Sequence, residues 1–127
     1  MRRLFILGML LALGACSLFE PSGQRYVVFF QEFSAALDDP AKAVIASAAD
    51  WAKAHPAAPV VVSGYADPEG SAQANKDISR TRAQVVADGL VAGGVTAQRI
   101  TIRARGEVGY TMDAQESRRV TIVLGTP

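Results

Sequence analysis

The stretch GYADPEGSAQANKDISRTRAQVV, Gly64–Val86, decides the fold. It opens inside an apolar run, Pro59–Ala66 (PVVVSGYA), whose valines predict a buried and central strand. The strand leads straight into Asp67-Pro68-Glu69-Gly70, where aspartate first, proline second and glycine fourth fit a type I turn. Ser71 can then cap a long helix over Ala72–Leu90, which Gly93-Gly94 would end. On that helix Asn75, Ile78, Arg82, Val85, Val86 and Leu90 fall near one face. An asparagine and an arginine thus interrupt an apolar stripe. Burying a guanidinium without a partner is costly, so Arg82 calls for an internal carboxylate, a ligand carboxylate or access to solvent.

Working outward, Arg25–Phe30 (RYVVFF) is a β-branched and aromatic run of strand length. A polar stretch with Ser34 and Asp38 follows, and Asp39-Pro40 reads as a helix start with Asp39 as cap. The helix runs to about His55. Val44, Ala48, Trp51 and Ala52 recur at helical steps, so Trp51 is expected to anchor the core. His55, the only histidine, sits at the helix end before Pro56, where a solvated or dipole-facing imidazole is expected and a catalytic or metal role is not. On the other side, Ile100–Ala104 and Val120–Leu124 read as two more strands, joined by a polar loop around Gly106–Glu116. The order β-α-β-α-β-β predicts an α/β fold, a two-layer sandwich with both helices on one face of a mixed sheet.

With 127 residues the chain has room for one domain, and a multidomain enzyme is excluded. Half the residues are hydrophobic, which suits a folded core. Thirteen basic residues against twelve acidic ones leave a net charge of +1, with no basic stripe of the kind nucleic-acid binding needs.

The first fifteen residues, MRRLFILGMLLALGA, carry Arg2 and Arg3 and are otherwise uncharged. The apolar run is too short to span a membrane, which takes about 20 residues, and it reads as an export signal over residues 1–15. Cys16 follows, the single cysteine of the chain. Leu13-Gly14-Ala15-Cys16 resembles the bacterial lipobox, which implies cleavage before Cys16 and acylation of its thiol and new amino terminus, palmitate included. Several acyl chains anchor firmly where one holds weakly. Ser17, and not an aspartate, follows the cysteine, which under the Gram-negative sorting rule implies the outer membrane. Residues 16–24 then form the lipidated cysteine and a short linker. Its eight residues Ser17–Gln24, at about 3.5 Å each, reach at most about 28 Å. The folded domain, 25–127, would sit close to the membrane and face the periplasm.

Gly64–Val86, together with Arg105-Gly106-Glu107 and Ser117–Ile122 (SRRVTI), resembles the OmpA-like peptidoglycan-binding domain, a family that includes peptidoglycan-associated lipoproteins. The resemblance covers about 25–124. Its central motif is ordered: Asp67, then Gly70, Asn75 and Arg82. It implies noncovalent binding of the peptidoglycan stem peptide at its meso-diaminopimelate residue, with no cofactor and no metal. The free end of that residue bears an ammonium and a carboxylate on one carbon. By family position Asp67 would meet the ammonium and Arg82 the carboxylate, where a planar fork can bond in bidentate fashion. Asn75 would support the site, and Arg118 matches a family position near the same pocket. Tyr65, Ala66 and Ser117 depart from the usual family residues, which bears on pocket shape more than on ligand class. From spacing alone another reading stays open, in which Asp67 is a turn residue and Arg82 braces strand against helix through Asp67 or Glu107.

Two other classes are weighed against this one. A wall hydrolase lacks its chemistry: there is no triad, no zinc cluster and no nucleophile elbow around Ser63, and the pairs Asp38/Asp39 and Asp67/Glu69 suit caps and turns. A protein-protein interaction module of the cell envelope, with Tol-system or other envelope partners, would use the same fold without binding diaminopimelate.

Overall fold

The computed structural model describes residues 23–107 and 114–125. The expected signal over residues 1–15, Cys16, most of the linker and much of the 106–116 loop lie outside the described residues. Strand β1 (Gly23–Phe29) leads to helix α1 (Asp39–Ala54), β2 (Val60–Ala66), α2 (Ala72–Ala92), a 3-10 turn (Ala97–Arg99), β3 (Ile100–Glu107), the one-turn helix α3 (Ala114–Ser117) and β4 (Arg119–Gly125). The four strands form one mixed sheet in the order β1-β4-β2-β3. β4 is antiparallel to both β1 and β2, and β2 is parallel to β3. The expected α/β sandwich is what forms, with α1 and α2 packed on each other and on the sheet.

The register sorts the residues by face, because side chains alternate along a strand. Val60 and Val62 of β2 stand beside Leu124 and Ile122 of β4, and Ile122 stands beside Tyr26 of β1. These residues turn towards the helices, where Ile45, Ala48 and Ala52 of α1 and Val86 and Leu90 of α2 complete the core. α2 comes so close to β2 that a β-carbon at Gly64 would collide with the carbonyl oxygen of Ser79. This explains why Ser79, Ala83 and Ala87 lie at the buried centre of α2, while Ile78 and Val85 sit at its margin. Hydrophobicity finds the stripe; small size sets its centre. The Ser79 hydroxyl donates to the Lys76 carbonyl (2.8 Å) and accepts from the Gly106 amide (3.0 Å), tying α2 to β3.

Several local expectations shift. Gly23 and Gln24, read as linker, pair with Gly125 and Leu124 as part of β1. Asp38, and not Asp39, caps α1, its carboxylate accepting from the Ala41 amide at 2.9 Å. Asp67–Gly70 is an open bend with Gly70 at φ 89 and not a hydrogen-bonded type I turn. The Asp67 side chain is drawn to an arginine instead of to its own backbone. β3 extends to Glu107, past the expected Ala104. Trp51 is half-buried at the edge of the core and stacks on His55, ring centroids 3.8 Å apart. His55 closes α1 through Nδ1 on the Trp51 carbonyl (2.8 Å), while Arg99 donates to the carbonyls of Ala52, His55 and Ala58 at 2.8 Å each. A guanidinium thus caps the last turn of α1, where free carbonyls favour a cation.

Candidate functional site: a cleft at one end of the sheet

The topology brings four chain segments to one place. β2 ends at Ala66 with Asp67 next; antiparallel β4 begins beside it, Gly64 pairing with Val120, so Arg118 stands near Asp67. β1 ends on the far side of β4, where Phe29 pairs with Arg119 and the Phe30 amide donates to the Arg118 carbonyl at 2.9 Å. α2 rises from Ser71, whose hydroxyl accepts from the Ala74 amide at 3.1 Å, and carries Asn75, Ile78 and Arg82 over the same end. The carboxyl ends of strands are where open α/β sheets leave room for ligands. A small, open-sided cleft of about 20 Å³ opens there.

Asp67, Asn75, Arg82 and Arg118 all line it. The sequence motif therefore converges in space. Its internal pairing is not a carboxylate brace between strand and helix. Arg82 pairs with neither Asp67 nor Glu107: it donates from Nε to the Ser34 carbonyl (2.8 Å), from Nη2 to the Gln31 carbonyl (3.1 Å) and from Nη1 to the Tyr65 carbonyl (3.3 Å). The side chain is 1 % exposed, and its guanidinium lies 5.4 Å from the centre of the Phe30 ring. Burial pushes its pKa below the ordinary arginine value, Asp67 opposes that shift, and Arg118 adds to it. Of five guanidinium N–H groups the backbone takes three, so each terminal nitrogen keeps one more.

Asp67 pairs with Arg118, Oδ2 to Nη1 at 3.1 Å, and Arg118 also donates from Nε to the Phe30 carbonyl at 3.2 Å. The other Asp67 oxygen, Oδ1, is buried and has no hydrogen-bond partner among the described residues. A buried carboxylate oxygen left so is costly unless something else supplies a donor. Asn75 is held by Glu107, Nδ2 donating to Oε2 at 3.3 Å, which gives the Arg-Gly-Glu segment a contact at the site.

The rim is formed by Glu32, Phe33, Glu69 and Ile78. Sequence reading passed over Glu32 and Phe33 as part of a polar stretch. The one available signal was an aromatic residue isolated among polar neighbours. Around the cleft two guanidinium groups face three carboxylates. Such a near balance of opposite charges suits a ligand carrying both. Among the described residues no group of three or more His, Cys, Asp or Glu could hold a metal ion, and no helix is long and apolar enough to cross a membrane.

The sequence profile of the OmpA family matches residues 29–120, which include Asp67, Asn75, Arg82 and Arg118. The chain belongs to the OmpA family. Among relatives of this OmpA family member, an outer membrane protein A from Serratia odorifera is 44 % identical over 55 residues, covering 43 % of this chain and 23 % of that protein. The peptidoglycan-binding protein ArfA of Mycobacterium tuberculosis is 40 % identical over 82 residues, covering 60 % of this chain and 25 % of that protein. The chain thus spans about a quarter of the length of these curated relatives. The fold matches the crystal structure of the peptidoglycan-associated lipoprotein from Burkholderia pseudomallei with a TM-score of 0.73 at 24 % identity, over 78 % of this chain and 89 % of that one.

Proposed function

We propose that this OmpA family domain binds peptidoglycan noncovalently by holding the free ammonium and carboxylate of meso-diaminopimelate in the cleft. The observation that carries the reading is the buried, unpartnered Oδ1 of Asp67 in a cleft shared with Arg82. A ligand ammonium supplies the missing donor to Asp67. The ligand carboxylate takes the spare N–H groups of Arg82, a charge-assisted contact in a desolvated setting. Arg118 holds the carboxylate of Asp67 in position, and Asn75, fixed by Glu107, flanks the ligand. Binding is the whole task, with no bond made or broken. The relatives' names, an outer membrane protein and a peptidoglycan-binding protein, support peptidoglycan as the target and an envelope location.

In this proposal the chain is an outer-membrane lipoprotein, acylated at Cys16 after loss of residues 1–15, and its domain ties the outer membrane to the wall. That part rests on the sequence of the leader and the lipobox. The test of the ligand is co-sedimentation of the chain with purified sacculi of two kinds. Walls with diaminopimelate stems should pellet it. Walls with lysine stems keep the ammonium and lack the carboxylate, and should hold it about tenfold more weakly. Equal retention by both walls overturns the assignment of Arg82 to a ligand carboxylate.

A further inference from the structure

Arg82 does more than line the cleft, because the two carbonyls it holds, Gln31 and Ser34, are the first and last residues of a turn closed by the Ser34 amide on the Gln31 carbonyl at 3.1 Å. Phe33 occupies the third position of that turn with φ 53, the only positive φ at a non-glycine residue among those described. Glycine or asparagine is the ordinary choice there, since a β-carbon is disfavoured in the left-handed region. An aromatic side chain adds nothing to the fold in compensation: Phe33 is 80 % exposed. It does line the cleft, as does the half-buried Ile78 of α2. Backbone strain that no packing offsets is a pointer to function.

We propose that Phe33 is a ligand-contacting residue that, with Ile78, forms an apolar collar around the three-methylene arm of diaminopimelate. The inference rests on the reading of the ligand given above. The arm joins the charged head to the rest of the stem peptide. With the head against Asp67 and Arg82, the methylenes must pass the rim, and Phe33 and Ile78 are the apolar side chains there. The collar excludes water from the ion pairs below, where a lower dielectric strengthens them. It favours a ligand with a long apolar arm over a short zwitterion such as a free α-amino acid.

The test titrates the tripeptide L-Ala-D-Glu-meso-diaminopimelate, with and without its disaccharide, into the purified full chain in detergent and into Phe33→Gly and Phe33→Leu. Phe33→Gly should weaken tripeptide binding by about tenfold, the scale of a lost apolar contact in a binding site. Its melting temperature should be unchanged or higher, because glycine relieves the left-handed backbone. Phe33→Leu should recover most of the affinity. The proposal is overturned if Phe33→Gly binds as tightly as the parent, if its melting temperature falls along with binding, or if leucine recovers nothing. A loss confined to the disaccharide-bearing fragment also overturns it, since Phe33 would then contact sugar. A parent chain that binds neither fragment removes the diaminopimelate reading itself, and this inference with it.

Discussion

Replacing Arg82 with lysine keeps a positive charge and removes the planar fork, so it isolates the part of this residue that holds the fold. In the parent, two short bonds run to the carbonyls of Ser34 (2.8 Å) and Gln31 (3.1 Å), with a longer one to Tyr65 (3.3 Å). A bond from a charged donor contributes about 1.5 kcal/mol at the low end of its range, so losing any two of the three costs about 3 kcal/mol. A lysine ammonium, a point charge on a flexible stem, cannot reach three carbonyls that a rigid fork spans. It can satisfy one at most. The side chain is 1 % exposed, so water does not replace the lost bonds. Arg82→Lys should therefore lower stability by about 3 kcal/mol, a large share of the total of about 5–15 kcal/mol typical of a domain. For a domain of this size that corresponds to a fall in melting temperature of about 12–24 °C. Urea titration followed by circular dichroism measures the free energy, and a thermal scan measures the shift. A loss below about 1 kcal/mol would refute the reasoning, because it would mean that the guanidinium bonds contribute nothing to holding the 31–34 turn. The result also decides how binding data on Arg82 variants are read, since an unfolded variant fails to bind for reasons unrelated to ligand contact.

Two further predictions follow from other parts of the chain. Gly64→Ala places a methyl group against the Ser79 carbonyl and should destabilise the domain by about 3 kcal/mol, the upper range for overpacking, read as a drop in the urea midpoint. Cys16→Ser should abolish metabolic labelling with palmitate, since no other cysteine is present to be acylated.

Element type was legible wherever periodicity was strong. The valines of β2, the apolar stripe of α2 and the alternation along β3 mark their elements, and the order of elements then fixes the two-layer architecture. Boundaries were less so. Asp38 and Asp39 are chemically equivalent caps in sequence, and only the backbone path shows that Asp38 accepts from Ala41. The centre of the buried face of α2 was displaced because Gly64 invites small residues, which a hydrophobicity pattern does not mark.

For the site, the ordered motif gave Asp67, Asn75 and Arg82, family resemblance added Arg118, and all four meet in one cleft. What the sequence did not carry was who pairs with whom. Arg118 takes Asp67 because β4 starts where β2 ends, a consequence of strand order and not of spacing. Arg82 is satisfied by backbone carbonyls, partners that every residue possesses and that no motif can encode. The strain at Phe33 is invisible for the same reason: a φ angle belongs to the folded backbone.

The central claim is that Asp67 receives a ligand ammonium, and Asp67→Asn tests it most directly. The amide keeps an oxygen for Arg118 and the volume of the carboxylate, while removing the charge and putting a donor where an acceptor is needed. With circular dichroism showing the fold intact, co-sedimentation with diaminopimelate-type sacculi should show retention at least about tenfold weaker than in the parent. Parent-like retention of a folded Asp67→Asn chain would contradict the account and leave the wall contact to be found elsewhere on the domain.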